Sequence, residues 1–271
     1  METVVNTVQS CSYFGLILTL AAFFAGRWVT KKTGIRALNP MVFAMVVIVA
    51  ILLVVAVAIS ILGPKPEETS DTAGNMGEYT LVIDPGHGGI DGGAVAADGT
   101  KESDINLAIA LKLRAIAEFY ALENIMTRQD DSSRSGPERY SEHEDLVSRA
   151  DFVNAAENPV LISIHQNCYP TGQPSGPQVL YAATESSESL GKLTHQNLIG
   201  SLYPGNRRVA EPASRKLYVL NHVSCPAILV ECGFLSNLSD LEKLSNSSYQ
   251  TTLSTVLMAS YLQYRTGLTC T

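Results

Sequence analysis

Residues 79–89 read YTLVIDPGHGG, residues 159–167 read PVLISIHQN, and residues 226–234 read PAILVECGF. Each stretch contains a short run of β-branched and other apolar residues, at 79–84, 160–164 and 227–230, followed by polar residues. Unbroken apolar runs of this length are typical of strands that a parallel sheet buries on both faces. The three stretches therefore predict buried strands of a largely parallel sheet.

Helical patterns lie between these strands. Residues 105–120, INLAIALKLRAIAEFY, are too long for a strand, and either Ser103 or Asp104 is the predicted N-cap. Further helices are predicted at 146–157, 189–202 and 249–264, the last ending at Gly267, and further strands at 124–128, 178–182 and 217–220. Alternating strands and helices predict an α/β fold, a single domain with a mostly parallel sheet flanked by helices.

The first 62 residues have a different composition and predict a membrane anchor. Residues 41–62 contain no charged residue and are long enough to span a bilayer. Residues 11–26 form a second apolar run, which reaches spanning length when it is extended to 4–26. A signal peptide is the alternative for this run, but Glu2 is the only charged residue ahead of it, whereas a signal peptide begins with a basic region.

The segment between the two runs predicts the orientation. Residues 27–40, RWVTKKTGIRALNP, carry four basic residues and no acidic one, and such short loops stay in the cytoplasm. Residues 63–77 are polar and rich in Pro, Glu, Ser and Thr, which is typical of a flexible tether. We therefore expect an anchor at 1–62, a linker at 63–77, and a domain at 78–271 on the extracytoplasmic side of the cell membrane.

Charge and cysteine content exclude some functions. The formal net charge of −7 and the lack of a basic stripe argue against nucleic acid as a partner. No C-x-x-C motif or disulfide framework is present, so the cysteines are interpreted as small apolar residues, although one pair among the last four could form a disulfide outside the cell. The five cysteines are Cys11, Cys168, Cys225, Cys232 and Cys270.

Chemically capable residues follow each of the three buried strands, namely His87, His165 and Glu231. Because the carboxyl ends of neighbouring parallel strands share one edge of a sheet, these side chains are expected to meet there. Glu102 is expected nearby, in the glycine-rich loop region just ahead of the long helix. Two histidines and one carboxylate are a usual ligand set for catalytic Zn²⁺, and a second carboxylate can act as the general base.

Each of these residues also has a purely structural interpretation. A histidine near a strand end is often only a hydrogen-bonding residue, Glu102 could stabilise a helix N-terminus, and Glu231 could pair with an arginine. Three separate structural roles at three strand ends would be a coincidence, so a single shared metal site is the favoured interpretation. The other histidines are not accompanied by other candidate ligands and are expected to be structural or solvated; they are His143, His195 and His222.

Two other chemical interpretations of the same stretches are less favoured. The glycines of the 86–93 loop are not followed by Gly-Lys-Ser/Thr, so tight turns are expected there and not a phosphate-binding loop. Cys232 is a rival nucleophile, but strand alternation should place it on the opposite face from Glu231.

Taken in order, DPGHGGIDGGA, KESDINLAIALKL, SRADFVN, LISIHQN and PAILVECGFLSNLSDLEKL resemble the zinc-dependent N-acetylmuramoyl-L-alanine amidases of the type-3 family. The resemblance runs from about residue 79 to residue 264. It implies that His87, Glu102 and His165 bind zinc, that Glu231 is catalytic, and that peptidoglycan is the substrate. Asn167, two residues after His165, is a predicted substrate-binding residue.

The reaction implied by the resemblance is hydrolysis of the amide between the lactyl group of muramic acid and L-alanine, in wall remodelling or spore-cortex maturation. The compact form and the stretch at 206–237 are similar to the spore-cortex branch, whose members help to make muramic δ-lactam. A protein activator is possible. The alternatives are a zinc peptidase acting within the stem peptide and a catalytically dead, membrane-tethered wall-binding protein.

Overall fold

The computed structural model describes residues 79–135 and 140–267, and within them six strands form one sheet. The strands are β1 (Thr80–Pro85), β2 (Asn124–Met126), β3 (Pro159–Asn167), β4 (Gln178–Tyr181), β5 (Glu211–Pro212) and β6 (Ala227–Phe234). Their order across the sheet is β2-β1-β3-β6-β4-β5, and only the β4–β6 pair is antiparallel. The α/β prediction is confirmed in the form of a mixed sheet, with β1, β3 and β6 adjacent at its centre.

The helices cover both faces of the sheet. They are α1 (Glu102–Phe119), α2 (Glu142–Asn154), α3 (Glu185–Leu202), α4 (Tyr218–His222), α5 (Leu238–Leu244) and α6 (Ser247–Thr266). Gly267 ends α6 in the left-handed conformation, with φ at 66°, as its position after the helical stripe predicts.

Two local predictions were wrong, and one helix was missed. Residues 218–220 lie in the short helix α4, with Leu217 as its N-cap, and not in a strand; the burial of Leu220 alone does not follow the alternating pattern of a strand. Lys101, and neither Ser103 nor Asp104, is the N-cap of α1, so Glu102 is the first residue of that helix and not part of the loop before it. Helix α5 was not predicted.

Side-chain alternation along the central strands divides the core into two layers. On one face Ile83, Ile162 and Val230 pack with residues of α1, α3 and α6. On the other face Val82, Leu161 and Leu229 pack with Val153 of α2 and Leu220 of α4. The sheet is therefore covered on both sides, and the ends of its central strands are left to form a site.

The predicted membrane spans, 4–26 and 41–62, and the predicted tether, 63–77, lie outside the described residues. None of the helices in the two described ranges is both long enough and apolar enough to cross a bilayer. The anchor therefore stays a prediction from sequence.

Candidate active site

Three of the predicted site residues converge at the carboxyl end of the sheet. Donor atoms of His87, Glu102 and His165 all lie within 4.8 Å of one another. The Glu102 Oε1 atom lies 3.4 Å from His87 Nε2 and 3.1 Å from His165 Nδ1, so one carboxylate oxygen faces both rings. The rings stand edge to face, with their centroids 5.0 Å apart. Two imidazoles and one carboxylate with converging donors fit a divalent cation such as Zn²⁺.

The loop after β1 is shaped around these side chains. His87 has a φ of 62°, a left-handed conformation that is uncommon for a residue with a side chain. A Cβ atom at Gly86 would lie 2.1 Å from His165 Cε1, and one at Gly93 would lie 2.7 Å from Glu102 Oε2. Any side chain at either glycine would therefore displace a predicted ligand. These glycines are needed to leave room for the ligands, which the prediction of tight turns did not specify.

Glu102 is held rigidly and in its ionised form. Its Oε2 atom accepts a hydrogen bond of 2.9 Å from Ala94 N, and its Oε1 atom accepts one of 3.0 Å from Gln166 N. Burial by itself would raise the pKa of the Glu102 carboxyl, but His165 and His87 hold that pKa far below its ordinary value. Its place at the start of α1 adds the favourable field of a helix N-terminus, so the structural and the ligand interpretations are compatible.

Asp91 is a member of the site that the sequence analysis missed. Its Oδ2 atom lies 2.7 Å from His87 Nδ1 and accepts a hydrogen bond of 3.1 Å from Tyr140 OH. With Nδ1 occupied in this way, the Nε2 atom of His87 faces Glu102, and such outer carboxylates commonly orient metal-binding histidines. The available signal was the spacing of an aspartate four residues after His87 in DPGHGGIDGG.

The electrostatics of this cluster favour a cation. Burial lowers the pKa of His87, but Glu102 and Asp91 outweigh it and raise that pKa from 6.5 to about 9. Two carboxylates around one histidine thus stabilise added positive charge, whether a proton or a metal ion supplies it. The types of donor atom and the charge of the cluster therefore both favour a bound cation.

Glu231 lies directly opposite His165 in the β3–β6 register. Burial raises the pKa of its carboxyl; His165 and His87 lower it and Glu102 raises it, and the resulting value is about 7. Its buried Oε2 atom has no hydrogen-bond partner among the described residues. A carboxyl group that titrates near neutrality beside a metal-type cluster has the properties of a general acid–base group.

The predicted substrate-binding residue Asn167 and the cysteines have the following positions in the structure. Asn167 ends β3 beside a register irregularity, and its backbone carbonyl accepts a 2.8 Å hydrogen bond from Leu235 N. Cys232 is fully buried in the layer beneath α1 and α6, as strand alternation predicted. Cys225 is buried and Cys168 exposed, and neither these two nor Cys232 is in a disulfide, while Cys11 and Cys270 lie outside the described residues.

The other three histidines lie outside the cluster of predicted ligands, in structural or solvated settings. His195 Nε2 lies 2.8 Å from Arg208 O, and His222 stacks on Tyr218 with ring centroids 3.8 Å apart. His143 meets the same Tyr218 ring edge to face.

A buried ion-pair network holds in place the loop after β1 that carries His87. Arg149 donates to the Asp84 carboxylate at 2.6 Å, to the Asp145 carboxylate at 2.6 Å and to the backbone carbonyl of His87 at 2.7 Å. Arg128 donates to the carbonyls of Pro85 and Gly86. These contacts tie the strained segment that carries His87 to α2 and to the sheet.

Comparisons with known proteins agree with this geometry. The chain is 33% identical over 197 residues to the germination-specific N-acetylmuramoyl-L-alanine amidase of Bacillus subtilis, covering 69% of this chain and 79% of the relative. It is 28% identical to the amidase LytC of the same organism, covering 70% of this chain but only 37% of LytC.

Solved structures give the same result. The structure of the CwlD amidase from Clostridioides difficile, in complex with the GerS lipoprotein, matches with a TM-score of 0.67 and 33% identity over 70% of this chain and 99% of that one. The family model described as N-acetylmuramoyl-L-alanine amidase, Amidase_3, matches residues 81–260. Because that match covers more than half of the 271 residues, the chain belongs to the Amidase_3 family of N-acetylmuramoyl-L-alanine amidases.

Proposed function

We propose that this domain is a zinc-dependent amidase that hydrolyses the bond between N-acetylmuramic acid and L-alanine in peptidoglycan. The convergence of His87, Glu102 and His165, with Glu231 beside them, is the observation that carries the proposal. Those three residues would hold the zinc ion, which when bound supplies a Lewis acid and an activated water.

The protein's own residues supply the proton transfers and the positioning. Glu231, with a pKa of about 7, accepts a proton from the attacking water and donates it to the departing amine. Asp91 holds the His87 ring in orientation, while Ala94 N and Gln166 N hold the Glu102 carboxylate. Asn167, at the end of β3, is proposed to contact the substrate near the site.

Mass analysis of digested peptidoglycan tests the bond that is cut. Purified domain beginning near residue 77 and loaded with zinc is expected to release intact stem peptides with a free L-alanine amine, leaving lactyl carboxylates on the glycan. Shortened peptides still attached to the glycan would identify the alternative, a zinc peptidase acting within the stem. No release with about one zinc bound per chain, together with retained binding to intact peptidoglycan, would instead identify a catalytically dead wall-binding protein.

The biological setting is proposed from the relatives. A germination-specific amidase is among them, which supports a role in spore-cortex maturation over one in the vegetative wall. The CwlD neighbour was solved with a lipoprotein, which supports a protein partner for this chain as well.

We also propose that the chain is anchored in the cell membrane by the spans at 4–26 and 41–62, with the amidase domain outside. Protease added to intact protoplasts is then expected to remove the domain, because the basic loop at 27–40 stays in the cytoplasm. A cytoplasmic marker protein that survives the same treatment controls for leakage. Degradation of the domain only after the membrane is broken would contradict this topology.

A further inference from the structure

A cleft of about 630 Å³ lies between the end of α3 and the loop that joins β3 to β4. We call it the basic cleft, and its lining residues are Ser175, Tyr203, Gly205, Asn206, Arg207 and Arg208. None of them is one of the predicted metal ligands or the proposed general base. The basic cleft is therefore separate from the candidate active site, and its volume is within the range of about 300–1,000 Å³ that is typical of ligand sites.

Three positively charged side chains surround the basic cleft, and within the described ranges none of them is in a salt bridge. Arg207 is exposed and makes no hydrogen bond in this part of the chain. The Nη1 atom of Arg208 donates to the carbonyls of Ser175 at 2.7 Å and Gly176 at 3.1 Å, while its Nε and Nη2 atoms have no acceptor among the described residues. The Nζ atom of Lys243, on α5, lies over an aromatic ring of the cleft wall, 4.2 Å from the ring centroid. The cleft therefore offers several cationic donors to an anion.

The wall of the basic cleft is held in place by the protein itself. Asp240 is buried, and its carboxylate accepts hydrogen bonds from Gly176 N at 2.7 Å and from the Tyr203 hydroxyl. The side-chain amide of Asn206 donates to Pro177 O at 2.7 Å, which ties the cleft loop to the start of β4. Because the Asp240 carboxylate is occupied by these donors, it leaves the cations of the cleft available to a ligand.

Chemistry and position both favour a peptide carboxylate as the ligand. The planar fork of a guanidinium group matches the two oxygens of a carboxylate. Arg208 lies over the Phe234 ring, 4.8 Å from its centroid, and Phe234 follows Glu231 by three residues on β6. At about 3.3 Å per strand residue, that separation is about 10 Å. Peptidoglycan, on which this family acts, carries carboxylates on its stem peptides, so one polymer could contact both places.

We propose that the basic cleft binds carboxylates of stem peptides that are not being cleaved, and so anchors peptidoglycan beside the candidate active site. The inference rests on the proposed function for its choice of ligand. Because these ion pairs would form at the protein surface, binding should weaken as the salt concentration rises. Arg207 is the residue best suited to a test, because its replacement removes a charge and breaks no contact within the described ranges.

Co-sedimentation with purified peptidoglycan measures binding, and the zinc-loaded full-length chain carrying Glu231→Gln is used to prevent cleavage. Adding Arg207→Gln and Lys243→Gln together is expected to raise the Kd at least about tenfold at low salt, because two charge-assisted contacts are lost. Peptidoglycan whose carboxylates have been amidated should bind equally with and without these two changes. In the chain that retains Glu231, the same pair of changes should raise KM about tenfold and leave kcat within about twofold, since neither residue lies at the candidate site.

Arg114→Gln combined with Lys192→Gln is the matched control, since both are surface cations on helices away from the basic cleft, and Kd and KM should stay unchanged. An unchanged Kd in the Arg207 and Lys243 variant would overturn the anchoring site, while cleavage by the wild type would leave the amidase proposal standing. An equal rise in Kd on the amidated polymer would overturn the assignment to carboxylates. A rise confined to the unmodified polymer, with a wild type that cleaves no muramoyl amide, would support the anchoring site and refute the proposed function.

Discussion

Glu231→Gln is expected to reduce turnover of the muramoyl–alanine amide at least about a hundredfold, the usual worth of general acid–base catalysis, while the zinc content stays near that of the wild type. Glutamine keeps the size and polarity of the side chain but cannot accept a proton at neutral pH. The Oε2 atom of Glu231 has no hydrogen-bond partner among the described residues, so the substitution breaks no visible contact at that atom. Cleavage and zinc content are measured on the same preparations.

Comparison with ligand variants separates the two roles. His165→Ala is expected to lose both activity and most of the zinc, because it removes one of the three proposed protein ligands. Glu118→Gln, on the exposed end of α1, controls for the loss of a carboxylate elsewhere. Loss of zinc in Glu231→Gln with retention in Glu102→Gln would mean that ligand and base are exchanged, and wild-type activity in Glu231→Gln would refute the mechanism.

Arg149→Met is expected to lower the free energy of unfolding by about 3–5 kcal/mol, because it leaves buried carboxylates without their cation. Arg149 is 2% exposed, and the Asp84 and Asp145 carboxylates that it binds are buried as well. The variant also loses the bonds from Arg149 to the carbonyls of Pro85 and His87. Urea denaturation followed by circular dichroism measures the difference.

Arg114→Met is the matched control, since Arg114 forms an exposed pair with Glu118 that should contribute at most about 1 kcal/mol. Arg149→Lys keeps the charge but not the forked geometry and should fall between the two. Equal stability of the Arg149→Met and Arg114→Met variants would show that the buried network does not stabilise the fold.

The same network predicts how stability depends on pH. Burial raises the pKa of Asp84, but Arg149 and the hydroxyls of Thr127 and Ser163 outweigh it and lower that pKa from 3.8 to about 2. Because the folded pKa lies below the unfolded one, ionised Asp84 stabilises the fold above about pH 4, and this contribution is lost as the pH falls toward 2. In Arg149→Met the loss should begin at a higher pH, since the main cause of the lowered pKa is gone.

The α/β fold class and the convergence of His87, Glu102 and His165 could be predicted from sequence because both depend on local patterns. Uninterrupted apolar runs indicate strands that are buried on both faces of the sheet. Because β1, β3 and β6 are parallel neighbours, the residues at their carboxyl ends lie at the same edge of the sheet. Period-two alternation likewise placed Glu231 and Cys232 on opposite faces. Helix boundaries were less accurate, and the run at 217–220 was assigned to the wrong type of element because a short apolar stretch fits either period.

Only the tertiary structure decided the features that depend on distant contacts. The role of Asp91 requires the turn that brings it back to His87 Nδ1, and the need for glycine at position 86 comes from the His165 ring, which lies on another strand. The pairing of Arg149 with Asp84 joins residues 65 positions apart, and a cavity beside the site is formed by α2, α4 and three strands together. The sequence by itself predicted which side chains meet at the candidate site, since residue type and strand position are local properties. Their orientation, their pKa values and the space left for a substrate follow from packing between elements far apart in the chain, which no local pattern encodes.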